Sequence, residues 1–224
     1  MPSAASLLAE IRACAVCAQH LPLGPRPVFQ IHPSARILIA AQAPGRKVHE
    51  TGVPFNDASG DRLRRWLGVP RESFYDPQSF AIVPMGFCYP GKGSSGDLPP
   101  RPECAPRWRA PLLNMLGRLQ LTLVIGHYAA AYHLPEERSG LTTAVRNWRR
   151  YWPGVVPLPH PSPTNNGWLA RATGGSSRSS FLCCEHVSQK HCGSEAASGG
   201  PLQPPLMTIN SCTCLLYTSD AADE

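Results

Sequence analysis

Four cysteines are the residues of this chain best suited to chemistry. Cys14 and Cys17 form a CAVC pair near the start, and Cys88 and Cys104 stand far downstream with fifteen residues between them. The second pair brackets FCYPGKGSSGDLPPRPEC, a Pro- and Gly-rich stretch of little apolar content and no regular period. A hydrophobic core cannot hold such a loop, so something else must. Four thiolates suit either a tetrahedral zinc ion or a [4Fe–4S] cube.

Two other segments present polar groups just after apolar runs. QAPG, starting at Gln42, follows RILIAA (Arg36 to Ala41), and HPSP, starting at His160, follows Val155 to Leu158. Prolines on both sides of His160 restrict its backbone and pre-set the imidazole, which can donate a hydrogen bond to a developing oxyanion even when neutral. Asp57, in NDASGDRL, is the candidate carboxylate. It also stands where a helix N-cap stands, a job Ser59 is equally equipped to do, with Asp61 then in the first turn, where the helix dipole favours an acid.

The elements that must position these groups follow from hydrophobic period. Helices are expected at Ala4 to Ala13, Ser59 to Leu67, within Pro106 to Leu119, at Tyr128 to Leu134 and at Leu141 to Tyr151. Strands are expected at Arg36 to Ala41, Phe80 to Met85 (weakened at its end by Pro84), Leu121 to Ile125 and Val155 to Leu158. Strand, turn and helix repeated four times predict a parallel sheet with helices on both faces, whose ligands bind at the carboxyl ends of the strands. QAPG and HPSP both lie there.

No run approaches the roughly 18 apolar residues of a membrane span, and the N-terminus lacks the charged and apolar regions of a signal peptide. The expected location is therefore cytoplasmic, where paired cysteines favour a metal site over disulfides. Charge is uneven. Residues 172–224 hold two basic and five acidic side chains, a net of −3, so the total of +6 leaves +9 on residues 1–171. A domain that basic expects a polyanion, most commonly nucleic acid. Near residue 172 the composition turns Ser/Gly/Pro-rich without sustained period, and the ending CLLYTSDAADE reads as translated adapter or vector sequence. Residues 1–171 are thus expected to be one domain, and 172–224 a disordered, non-native tail of frameshift or adapter origin.

QAPGRKVHETGVPFNDASGDRL after the first strand and HPSPTNNGWL after the last resemble the uracil-DNA glycosylase superfamily. The cysteine arrangement is similar to its iron–sulfur branches, families four and five, and TGVPF and HPSP followed by asparagines also resemble the single-strand-selective monofunctional branch. The resemblance spans roughly residues 10–171. It implies a three-layer α/β/α sandwich around a four-stranded parallel sheet, acting as a monomer. It implies a DNA partner from which a deaminated base, uracil foremost, is flipped and its N-glycosidic bond hydrolysed. It also makes the four cysteines ligands of a [4Fe–4S] cluster with a scaffolding role, zinc being the alternative metal.

Site residues follow from the same resemblance. Asp57 matches the aspartate that orients water and stabilises the cationic sugar, and His160 is the donor to the base oxygen. Phe55 stacks on the flipped base, while Gln42 and Ala43 lie around base and water. Where family four has glutamate, Gln42 positions a water without deprotonating it, which shifts the catalytic burden to Asp57. HPSPTNNGWL becomes the loop that enters DNA, with Ser162 and Pro163 on the strand and Trp168 and Leu169 as apolar wedges. Arg101, Arg107, Arg109, Arg146, Arg149 and Arg150 are the candidate phosphate contacts. One departure concerns recognition: the asparagine that reads uracil four residues before the third cysteine is here Pro84, leaving Asn165 or Asn166 to compensate. A protein that recognises damage without cleaving it is the alternative function. The resemblance also implies a final helix after HPSP, which the change of composition soon after WLAR would remove.

Overall fold

The computed structural model describes residues 3–94 and 96–172. The expectation for 173–224 falls outside the described residues. Four short apolar runs form the strands β1 (Ile37–Ala40), β2 (Phe80–Ile82), β5 (Leu121–Ile125) and β6 (Val155–Leu158). They assemble in the order β2-β1-β5-β6, every pairing parallel. Side chains on a strand alternate between faces, and here the alternation feeds two cores. Ile39, Ile82, Leu121, Leu123 and Ile125 face one side, where they meet Leu63 and Leu67 of α3 (Ala58–Leu67) and Phe74 of α4 (Arg71–Phe74). Leu38, Ala81 and Val83 face the other, against Leu7 and Ile11 of α1 (Ala4–Arg12) and Trp108 and Leu112 of α5 (Cys104–Asn114). Ala40 and Val124 extend that side onto Ala129 and Ala130 of α6 (His127–His133). The result is a three-layer α/β/α sandwich, as expected. Among the described residues no helix is long and apolar enough to cross a membrane.

Boundaries differ from the sequence reading in instructive places. β2 ends at Ile82, two residues before Pro84, which lacks the N–H needed to continue a ladder. The Leu141 to Tyr151 helix is two pieces, α7 (Leu141–Arg146) and a 3₁₀ turn (Trp148–Arg150), which leaves Trp148 buried. The cysteine-bracketed loop contains a small antiparallel hairpin, β3 (Lys92–Gly93) with β4 (Gly96–Asp97). Two-residue strands are too short to show a period. HPSPTNNGWL is not one loop: a 3₁₀ turn (Pro163–Asn165) leads directly into α8 (Asn166–Ala172). The final helix considered past WLAR falls outside the described residues.

Arg109 is a correction. Expected at a phosphate, it is fully buried, donating through Nη1 to the carbonyls of Val83 (3.0 Å) and Pro84 (3.2 Å) and through Nη2 to His133 Nε2 (2.5 Å). Its place on the inner face of α5 aims it at the end of β2, where carbonyls beyond the ladder need donors. Arginine stays protonated, so His133 accepts at Nε2 and is neutral. Burial, with Arg109 beside it, pushes the His133 imidazole down to about 3 from the ordinary 6.5.

That depression has a measurable consequence. Below pH 6.5 the unfolded chain takes up a proton at this residue and the folded one does not, so stability falls with pH until about 3. The loss is on the order of 3 kcal/mol at pH 4. His133→Gln, which can still accept from Arg109, is expected to lose markedly less stability between pH 7 and pH 4 in denaturant titrations. Equal losses in the two proteins would refute the assignment.

Candidate active site

The carboxyl ends of β1, β2, β5 and β6 gather the segments singled out in the sequence. After β1 the chain turns through Gln42, Ala43 and Pro44 to Gly45, which opens α2 (Arg46–Thr51). The turn is tied to the segment after β2: Met85 N–H donates to Ala41 O (2.8 Å) and Gly86 N–H to Gln42 O (2.9 Å). The Gln42 amide lies against Gly126 at the end of β5. A β-carbon on Gly126 would stand 2.8 Å from Gln42 Oε1, and the glycine's φ of +82° is one other residues rarely adopt. Ala43 is half-buried in the same turn.

Phe55 sits in a turn built under strain. It is the only described non-glycine residue with positive φ (53°), a conformation that costs energy and persists only when its surroundings impose it. The surroundings are specific. Gly60 presses so close that a β-carbon there would fall 1.7 Å from the Phe55 carbonyl oxygen. The buried Arg64 donates to the same oxygen (3.4 Å) and to Tyr75 (3.2 Å), whose hydroxyl in turn holds the Pro54 carbonyl (2.9 Å). Asp61, in the first turn of α3 as expected, pairs with Arg64 at 2.5 Å. The Phe55 ring packs edge-on against Phe74 and stays partly exposed.

Asp57, not Ser59, caps α3. Its backbone is extended (φ −149°) and its Oδ1 accepts the Gly60 N–H at 2.9 Å, while Ser59 lies inside the helix and is buried. Capping uses one oxygen, so Oδ2 remains for other work. It faces Gly45, 3.9 Å from where a β-carbon would be.

His160 follows β6 and is held by its own loop. Ser162 N–H donates to His160 Nδ1 (3.2 Å), and Asn165 Nδ2 donates to the His160 carbonyl (2.8 Å). Since Nδ1 accepts, the neutral ring carries its proton on Nε2, which is then a free donor. Burial lowers the His160 pKa, and the Asp57 carboxylate partly offsets this, so the ring is neutral at physiological pH. The opposing influence of Asp57 places two residues from opposite ends of the sequence in one electrostatic neighbourhood. A direct bond links their segments too: Arg62 of α3 donates to the Ser162 carbonyl (3.2 Å).

The other expected DNA contacts divide. Ser162 and Pro163 form the turn at the tip of the loop. Trp168 and Leu169 belong to α8, and Trp168 Nε1 donates to Thr142 Oγ1 on α7 (3.2 Å), so the indole is tied to the protein. Asn165 uses one of its two amide N–H groups on the His160 carbonyl, and Asn166 is exposed at the start of α8. Arg107, Arg146, Arg149 and Arg150 are exposed, whereas Arg101 is half-buried in a two-pronged pair with Glu103 (2.6 and 3.1 Å).

All four cysteines line one cavity, together with Gly86, Arg101, Arg107 and Trp108. The fold explains the convergence: α1 ends just before Cys14, α5 begins at Cys104, and both cover the same face of the sheet. Two N–H groups point at sulfur, from Trp108 Nε1 to Cys14 (3.3 Å) and from Phe87 to Cys104 (3.4 Å). As free thiols, Cys88 is pushed up to about 11 and Cys104 to about 12, chiefly by burial. A bound metal would reverse this through its own charge. Among the described residues no three ligand side chains stand close enough to hold a single ion.

Asp97 escaped the sequence reading. From β4, inside the cysteine-bracketed loop, its Oδ2 comes 3.4 Å from the β-carbon position of Gly45, beside Asp57. An acid in a Gly/Pro-rich loop carries no signal of its own; only the hairpin's pairing directs it.

A family model for the Uracil DNA glycosylase superfamily matches residues 28–179, more than half of the chain. The chain belongs to the uracil-DNA glycosylase superfamily. The matched span contains the QAPG turn, the strained Phe55 turn and HPSP, with Cys88 and Cys104, while Cys14 and Cys17 precede it. The superfamily's class of activity is DNA glycosylase, the hydrolysis of N-glycosidic bonds in base-excision repair, and its partner is DNA.

Proposed function

We propose that this protein is a DNA glycosylase of the iron–sulfur type that flips a deaminated base, uracil foremost, from DNA and hydrolyses its N-glycosidic bond. The observation that carries the reading is the neighbourhood of Asp57 and His160 at the carboxyl ends of the sheet. Breaking this bond puts positive charge on the sugar and negative charge on the departing base. His160 Nε2–H is the donor for the base oxygen, and its neutral state suits a group that must donate without delivering a full proton. Asp57 Oδ2 stabilises the sugar cation and orients water, while Phe55 stacks on the base, a contact worth about 1–3 kcal/mol.

The cysteine cavity fits a [4Fe–4S] cluster held by Cys14, Cys17, Cys88 and Cys104. Anionic sulfurs with N–H donors aimed at them are the chemistry such a cluster needs. A tetrahedral zinc, with bonds of about 2.3 Å, draws its sulfurs within roughly 4 Å of one another. A cube keeps them further apart, around a cavity such as the one these four cysteines line. The cluster supplies no electrons to a hydrolysis. Its part is to fix the N-terminal segment and the 88–104 loop.

One observation favours a second reading, a protein that recognises damage without cleaving it. Pro84 has no side-chain hydrogen bond for the base, and Asn165 is tied through one amide N–H to the His160 carbonyl. The test is base release from single-stranded oligonucleotides carrying uracil or hypoxanthine, with anaerobically purified protein whose broad absorption near 400 nm reports the cluster (an approximate position for sulfur-to-iron charge transfer). His160→Ala is expected to lower release about a hundredfold or more, with DNA binding retained. No release from either lesion by the wild type would favour the binding-only reading.

A further inference from the structure

The cysteine-bracketed loop and the Asp57–His160 site meet at Gly45. Two carboxylate oxygens face that glycine from different segments: Asp97 Oδ2 at 3.4 Å and Asp57 Oδ2 at 3.9 Å from its β-carbon position. The two acids also sense each other's charge. Asp97 is not a loose surface side chain. β3 and β4 set its register opposite Lys92. The hydroxyl of Tyr89, the residue after Cys88 and itself buried, lies near its carboxylate. Against the Tyr89 ring, with centroids 6.2 Å apart, lies His49 of α2, buried and with no hydrogen-bond partner at Nδ1. Such an orphaned polar atom packed on a phenol belongs to a polar site, not to a core.

Hydrolysis places a demand here that Asp57 alone does not meet. An attacking water must have its hydrogens held so that a lone pair points at the sugar carbon. Asp57 has one oxygen for this, because the other caps α3. The Gln42 amide is turned onto Gly126. A second acceptor facing the same point is Asp97 Oδ2. We propose that Asp97 is the second carboxylate of the site, holding the attacking water jointly with Asp57, so that the cysteine-bracketed loop contributes directly to the reaction. The inference rests on the glycosylase reading above. In the step, the sugar–base C–N bond breaks with its electron pair leaving on the base, and the water oxygen bonds to the sugar carbon. One water proton passes to a carboxylate and on to solvent, and the base anion takes up one proton from solvent. Nothing is oxidised or reduced.

Single-turnover base release from a uracil oligonucleotide tests this with wild type, Asp57→Asn, Asp97→Asn and the double variant, alongside DNA affinity by fluorescence anisotropy and the cluster's visible absorption. Asp97→Asn is isosteric and lies on an exposed hairpin, so the fold is preserved. It is expected to slow release at least about tenfold, with DNA affinity and absorption unchanged. The double variant is expected to be scarcely slower than Asp57→Asn, because both acids act on one water. Release at the wild-type rate by Asp97→Asn, in a wild type that is active and an Asp57→Asn that is not, overturns the role of Asp97 alone. A wild type that releases no base overturns the glycosylase reading and this inference with it.

Discussion

Asp57→Asn is expected to slow base release by about a hundred- to a thousandfold while leaving thermal stability nearly untouched, and Asp57→Ala to lose both. The separation follows from the two oxygens. Oδ1 caps α3 through the Gly60 N–H at 2.9 Å, and asparagine caps a helix about as well as aspartate. Oδ2 faces Gly45 and, through its charge, His160. Asparagine keeps the shape and removes the charge that a cationic sugar needs. Alanine also forfeits the cap, about 1 kcal/mol, or roughly 2–4 °C in melting temperature for a domain of this size. Single-turnover assays beside thermal melts decide the matter. A fully active Asp57→Asn would reduce this residue to a helix cap.

The second large effect is steric. Glycine to alanine inside a helix ordinarily stabilises by roughly 1 kcal/mol. At Gly60 the sign reverses, because the added carbon would lie 1.7 Å from the Phe55 carbonyl oxygen and 2.8 Å from its β-carbon. Both contacts are with a turn already strained at Phe55 and clamped by Arg64 and Tyr75, so neither side can yield cheaply. Gly60→Ala is expected to cost more than about 4 kcal/mol, in the range reserved for severe overpacking, and to displace Phe55 from the base. An unchanged or raised melting temperature would show that the turn relaxes freely, and the strain would then have no functional meaning.

The strands and their turns were legible because burial on both sides of a parallel sheet demands continuous apolar runs, and RILIAA and LTLVI are such runs. Leu121–Ile125 and Val155–Leu158 agree with expectation to the residue. The candidate residues at the strand ends were legible for the same reason: once the sheet is parallel, QAPG and HPSP must share an edge. Arg109 was not legible. An arginine in PRWRAP looks like its neighbours Arg107 and Arg101, and only the rotation of α5 turns one of the three inward onto Val83 and Pro84. Ser59 and Asp57 were equivalent as caps until the entry angle of the chain placed the extended residue at 57.

Local order thus came from the chain itself: apolar period, proline and glycine punctuation, and the types of residue able to ligate, donate or accept. Those properties depend on neighbours a few positions away, and a sequence displays them directly. Which of Asp57's oxygens is free, which nitrogen of His160 carries the proton, and that Asp97 reaches Gly45 from a loop fifty residues away were decided by packing alone. Each depends on contacts between segments far apart in the chain, whose distances no spacing along the sequence encodes.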